Sequence, residues 1–180
     1  MGKKWLILAA CVLAVAVAGG WMMVREHAVK QEQSGGHESS RSRAEMPAFL
    51  LESAVDGKSV DSGSFKGKAL LVTFFATWCP PCLQEIPSLI ELQQEFSADG
   101  FSVIAMSVDQ GGSAQVAELV EQQAIDYPVL MADAETVENF GGIYNIPVSF
   151  LVNKSGAVVK RYNGLVAYQV LAKDIRSIIE

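Results

Sequence analysis

The chain is expected to fold as α/β, with a mixed central sheet covered by helices on both faces. Three observations predict this. Leu70–Phe75 and Phe101–Val108 are apolar at nearly every position, which suits strands buried on two faces. Each is followed, after a short link, by apolar residues recurring at helical spacing. The two ends of this region carry apolar pairs around the turn sequences Asp56-Gly57-Lys58 and Asn153-Lys154-Ser155-Gly156, the mark of hairpins added to an alternating strand–helix core.

Ahead of this region, Trp5 to Val24 is a run of 20 residues without a charge, long enough to cross a bilayer as a helix. Lys3 and Lys4 precede it, which keeps the N-terminus in the cytoplasm and exports the chain beyond residue 24. Two other readings of this segment stay open. Ala16-Val17-Ala18 resembles a signal-peptidase site, and Leu8-Ala9-Ala10-Cys11 a lipoprotein signal with Cys11 lipidated. Segment length favours an anchor over residues 1–24, and all three readings place the rest outside the cytoplasm. Residues 25–44 are polar, with Gly35-Gly36 and Ser39-Ser40, and read as a flexible tether in which His27 and His37 are solvated.

Residues 45–180 suit one domain with one core. They carry 8 basic against 17 acidic side chains, a net of −9, which argues against a nucleic-acid partner because phosphates would be repelled. The stretch 47–52 and Ser59-Val60 predict an opening hairpin, and 61–68 a loop with one helical turn. Leu70–Phe75 is the central strand. A helix comes next over about 81–98, with Ile86, Leu89 and Phe96 on its apolar side and Pro87 expected to kink it. Phe101–Val108 is the second buried strand. The next helix, 113–124, carries Val116, Leu119 and Val120 inward, with Ser113 as N-cap. A short strand (128–131) and a helical turn or two (134–140) precede a hairpin of 148–152 with 157–162. Tyr168, Leu171, Ile175 and Ile178 then predict a closing amphipathic helix.

The chemistry lies in Trp78-Cys79-Pro80-Pro81-Cys82, between the central strand and its helix. Cys-x-x-Cys alone also describes half a zinc site. Here no second ligand pair exists, because the remaining cysteine is Cys11 and both histidines precede the domain. Haem attachment fails because residue 83 is Leu. No metal and no cofactor is therefore expected, and a dithiol/disulfide centre remains. At the helix start, unpaired N–H groups and the dipole favour a thiolate, so Cys79 is the expected nucleophile, with its sulfur at the surface. Cys82, one turn on, is the resolving thiol. Pro80 and Pro81 withhold two N–H groups from the Cys79 sulfur, which predicts a reducing poise. Glu85 shares a helix face with Cys82. It reads either as a buried carboxylate that handles the Cys82 proton or as an ordinary first-turn acid favoured by the helix dipole. Trp78 is expected to be half core residue, half rim of the site.

Several motifs resemble the thioredoxin superfamily, and within it the membrane-anchored TlpA/ResA/CcmG-like thiol–disulfide oxidoreductases. They are Asp56-Gly57-Lys58 with Phe65-Lys66-Gly67-Lys68, Phe74 through Cys82, Glu85-Ile86-Pro87, Ser107-Val108-Asp109, and Ile146-Pro147-Val148-Ser149-Phe150-Leu151-Val152. The resemblance implies a three-layer α/β/α thioredoxin-like fold, with the subgroup's extra strand and helix inserted between Cys82 and Pro147, which are 65 positions apart. It implies a redox disulfide between Cys79 and Cys82, and a cis peptide before Pro147 that leaves the Ile146 backbone free to pair with substrate. It also implies a role for Glu85, since Thr73 stands where thioredoxins proper carry a buried acid.

By the same resemblance the domain is an exported, membrane-tethered reductant of protein disulfides. Apocytochrome c cysteines awaiting haem are the leading substrate, and a transmembrane CcdA/DsbD-type carrier supplies the electrons. The alternatives are general thiol redox of other exported proteins, or a peroxidase-like antioxidant activity related to AhpC/TSA. A peroxiredoxin motif would want Pro and Thr where Val72 and Ala76 stand. A copper-delivery protein of the Sco type would want Cys-x-x-x-Cys and a histidine inside the domain, and both are missing.

Overall fold

The structure, a computed structural model, describes residues 44–179. The expected anchor (1–24), Cys11, and the tether with His27 and His37 lie outside the described residues, as does all but the last residue of 25–44. No described helix is long and apolar enough to cross a membrane.

The described residues form seven strands and four helices in one sheet-centred unit. In chain order they are β1 (Leu50–Ser53), β2 (Ser59–Asp61), β3 (Ala69–Phe75), α1 (Pro80–Phe96), β4 (Phe101–Ser107), α2 (Ala114–Gln122), β5 (Val129–Met131), α3 (Ala134–Asn139), β6 (Val148–Val152), β7 (Val158–Asn163) and α4 (Tyr168–Ile179). The sheet order is β2-β1-β5-β4-β3-β6-β7. β3, β4 and β5 run parallel, while β1 and β6 attach antiparallel to β5 and β3. The opening hairpin pairs Leu51 with Val60, and the closing one Ser149 with Tyr162. The predicted turn after 61 is a 3-10 turn over Ser62–Phe65, capped by the Asp61 side chain.

β3 and β4 are buried along their whole length, and the strand period of two sorts their side chains into two cores. Leu71 and Phe75 join Val103, Leu89 and Leu92 of α1, and Leu171 and Ile175 of α4 on one face. Leu70, Val72 and Phe74 join Ile104, Met106 and the hairpin residues Phe49 and Leu51 on the other. There Phe74, Phe140 and Phe150 meet edge to face, with centroids 5.1–6.1 Å apart. Each fully buried Leu or Phe contributes about 1.5–3 kcal/mol relative to exposure. The interval between Cys82 and Pro147 holds β4, α2, β5 and α3.

One local expectation is corrected. Ser113 occupies the N-cap position of α2, but its backbone is already helical (φ −80°, ψ −16°) and its side chain makes no cap bond. A cap residue needs an extended backbone to aim its oxygen at the N2 or N3 amide. Pro87 lies within α1, which continues through it as one element. Its ring is on the exposed side of the helix, where the bond it withholds costs least.

Candidate active site

β3 delivers the chain to the redox loop at its C-terminal end. The Phe75 carbonyl accepts the Val108 N–H, and a turn closes from Cys79 N–H to the Ala76 carbonyl at 3.1 Å. Cys79 is then the N-cap of α1, with extended backbone (φ −98°, ψ 102°), and Pro80 and Pro81 fill the first two helical positions. Proline suits the first turn because its φ is preset and it withholds an amide that has no helical partner there. The first N–H the helix can offer is that of Cys82, and it donates to Cys79 Sγ at 3.3 Å. The two cysteines are joined as a disulfide, with Cα atoms 5.3 Å apart.

In this disulfide form both cysteines are buried as residues, Cys79 4% and Cys82 3% exposed. The cap geometry turns the Cys79 side chain inward, and the surface there is made by Trp78, Pro80 and Pro81. Trp78 is 68% exposed, so it is rim and not core. It comes after a loop residue and has no strand alternation to turn it inward.

Glu85 is 2% exposed, on the buried face it shares with Cys82. Burial pushes its carboxyl above the usual range, opposed by the hydrogen bond it accepts from the Val166 N–H at 3.1 Å. A small cavity of about 10 Å³, a single water position in size, lies against Thr73, Cys82, Glu85, Ile125 and Tyr127. Glu85 is the one carboxylate lining it. The Tyr127 phenol is pushed up by its burial and further by the charges of Glu85 and Asp126, so it stays neutral. The buried Thr73 hydroxyl accepts a hydrogen bond from Ser149 at 2.9 Å, which uses the strand position for a neutral pair.

The Ile146–Pro147 peptide is cis. The register of β3 with β6 pairs Phe74 with Val148, which brings this loop to the same end of the sheet as the redox loop. Pro147 is buried and its carbonyl accepts the Gly164 N–H at 2.8 Å. Ile146 packs against the core that contains both cysteines, and its backbone has no hydrogen-bond partner among the described residues.

Three participants escape the sequence reading. Val166 supplies a backbone N–H, which no side-chain pattern announces. Tyr127 reads as an ordinary core residue before a strand. Asp109 closes β4 in Ser107-Val108-Asp109, yet its carboxylate reaches back to Thr77 in the redox loop. A much roomier cleft, about 840 Å³, takes no part: it is lined by Phe49, Lys66, Asp133 and Lys154, near the start of β3 and away from the cysteines.

Comparison with known proteins agrees with this geometry. A family profile described as Redoxin matches residues 41–169. The thiol-disulfide oxidoreductase ResA of Bacillus thuringiensis subsp. konkukian is 30% identical over 134 residues, 74% of this chain and 76% of that protein. ResA of Bacillus subtilis is 30% identical over 129 residues, 72% and 71% of the two chains. Among solved structures, a thioredoxin-family thiol:disulfide interchange protein from Chlorobium tepidum superposes with a TM-score of 0.71 at 34% identity, covering 77% of this chain and 97% of that one.

Proposed function

We infer the task of this protein from the family to which it belongs, the Redoxin proteins, as a TlpA/ResA/CcmG-like thiol–disulfide oxidoreductase of the thioredoxin superfamily: it is a reductant of exported protein disulfides. One observation carries the direction of electron flow. The Cys79 sulfur receives a single N–H, from Cys82, because Pro80 and Pro81 have none to give, and the buried carboxyl of Glu85 lies behind the pair. Both features disfavour a long-lived thiolate, so the dithiol is a ready electron donor.

In the reduced domain, Cys79 thiolate attacks one sulfur of a substrate disulfide, forming a mixed disulfide and releasing the other substrate sulfur as thiolate. Cys82 gives its proton to Glu85, whose proton affinity is raised by burial. The Cys82 thiolate then attacks Cys79 Sγ, the second substrate sulfur leaves, and the Cys79–Cys82 disulfide is restored. Substrate has lost a disulfide and gained two thiols, and the domain holds the oxidised pair. Trp78 forms the rim, and the unpaired backbone of Ile146 beside cis-Pro147 offers hydrogen bonds to an extended substrate segment.

The domain works on the extracytoplasmic face of the cytoplasmic membrane, held by the apolar segment 1–24 with the N-terminus inside. The reading is supported by Lys3, Lys4 and segment length. Its substrates are disulfides formed by apocytochrome c cysteines or by other exported proteins, and a CcdA/DsbD-type carrier re-reduces it. The deciding experiment is capture of mixed disulfides by a Cys82→Ala variant in the native membrane. Exported cysteine proteins among the captured partners are the expected result, and cytoplasmic proteins alone would refute the location and the substrate class.

A further inference from the structure

The side chain of Asp109 is buried, and each of its oxygens accepts two hydrogen bonds. Oδ1 takes the Thr77 hydroxyl at 2.7 Å and the Gln115 amide at 3.1 Å. Oδ2 takes the Thr77 backbone N–H at 2.9 Å and the Ser107 hydroxyl at 2.7 Å. A carboxylate offers about four lone-pair sites, so this one is saturated. The donors come from three segments: the redox loop, the end of β4 and the first turn of α2. The Ser107 hydroxyl also accepts the Asp109 N–H at 3.1 Å, which fixes the backbone that carries the carboxylate. Thr77 is gripped through both main chain and side chain, and Trp78 and Cys79 come directly after it. Beyond that grip Trp78 points out and Cys79 points in.

We propose that Asp109 is a positioning residue of the exchange reaction: through Thr77 it clamps the redox loop, presenting Trp78 to the partner and shielding the Cys79–Cys82 disulfide from small reductants. It rests on the site described above and not on the direction of electron flow. Orientation governs attack on a protein-borne disulfide. A small thiol needs only access to sulfur. Loosening the clamp therefore moves the two reactions in opposite senses, which a general loss of activity does not.

The test compares Asp109→Ala and Asp109→Asn with the wild type, reading insulin reduction and the rate at which dithiothreitol reduces the domain's own disulfide. Asp109→Ala is expected to slow insulin reduction about tenfold and to speed the dithiothreitol reaction about threefold. Asp109→Asn is expected to stay within about twofold of wild type in both, because the Thr77 hydroxyl can turn and the Gln115 amide can flip to meet the new NH₂. A folded Asp109→Ala protein with both rates unchanged, or with both falling together, overturns the clamp. So does an Asp109→Asn protein that behaves like the Ala variant, since charge would then be the operative property. If Asp109→Ala does not fold, Thr77→Val decides, with about threefold changes of the same signs expected and wild-type rates overturning the proposal. A wild type that fails to reduce insulin removes the reductant reading and leaves the dithiothreitol arm to judge the clamp.

Discussion

Reducing the Cys79–Cys82 disulfide should lower the stability of the domain, by an amount set by its ring. The bond closes a ring of four residues, at a sequence separation of 3. The loop-closure relation for so short a ring gives about 2 kcal/mol of stabilisation through the unfolded state. Pro80 and Pro81 already stiffen that ring when unfolded, so the figure is an upper value. Against it stands whatever the folded protein offers the reduced pair. Cys79 Sγ has the Cys82 N–H and little else, while thiolate formation is opposed by Glu85. The folded state therefore does not reverse the sign. About 2 kcal/mol is about 40 mV for a two-electron couple, so the native disulfide should be harder to reduce than the same pair in the urea-unfolded chain by about that much. The assay is thermal unfolding of oxidised and reduced protein side by side, with the potential measured against glutathione. The oxidised form should melt about 6–10 °C higher, and the potential should lie nearer thioredoxin's about −270 mV than the strong oxidants' about −120 mV. A reduced form more stable than the oxidised one would refute the reasoning, because that is the signature of an oxidant.

Four further outcomes are expected. Glu85→Gln keeps an acceptor for the Val166 N–H but removes the charge, so the Cys79 thiolate, tracked by its absorbance, should form at lower pH than in wild type; superimposable titrations would reduce Glu85 to a structural acid. Burial raises the folded Glu85 carboxyl, so the stability tied to its bound proton is present at low pH and lost as pH rises through the folded value. The Gln variant should accordingly gain on wild type in urea unfolding as pH rises above the ordinary carboxyl range, and a gap independent of pH would contradict this. In the reduced protein, iodoacetamide should label Cys79 faster than Cys82, which a peptide map after short exposure reads directly; equal rates would count against the nucleophile assignment. Leu92→Ala, at a fully buried position of α1 opposite β3 and β4, should cost about 2–5 kcal/mol in urea unfolding, and a loss under about 1 kcal/mol would mean the core there is poorly packed.

The features that the sequence discloses and those it withholds divide along a physical line. β3 and β4 are legible because burial on both faces leaves almost no polar position in Leu70–Phe75 and Phe101–Val108. The redox loop is legible because its residues are adjacent in the chain. Contacts made across many residues are not. The antiparallel docking of β1 on β5, pairing Glu52 with Met131, leaves no mark in either short strand. The Glu85–Val166 bond spans 81 residues and uses a backbone amide, and the Asp109–Thr77 bonds span 32. The exposure of Trp78 and the unused Ser113 cap fail for a related reason: residue type suggests core or cap, but local backbone direction decides.

The neutral Thr73–Ser149 pair has a consequence for how such a site can be transplanted. An acid borne on a central strand depends on sheet register to meet the dithiol, and a slip of one residue would turn it to the opposite face. Here the strand position is left to two hydroxyls, and the acid rides on the helix one turn after the second sulfur. Cys79, Cys82 and Glu85, proposed as nucleophile, resolving thiol and proton acceptor, therefore lie in one continuous helix-start segment, with Cys79 placed by the N-cap and the spacing of Cys82 and Glu85 set by helical pitch. Any scaffold that ends a buried strand at a helix N-terminus, and can spare one backbone N–H to play the part of Val166, has the geometry to host it.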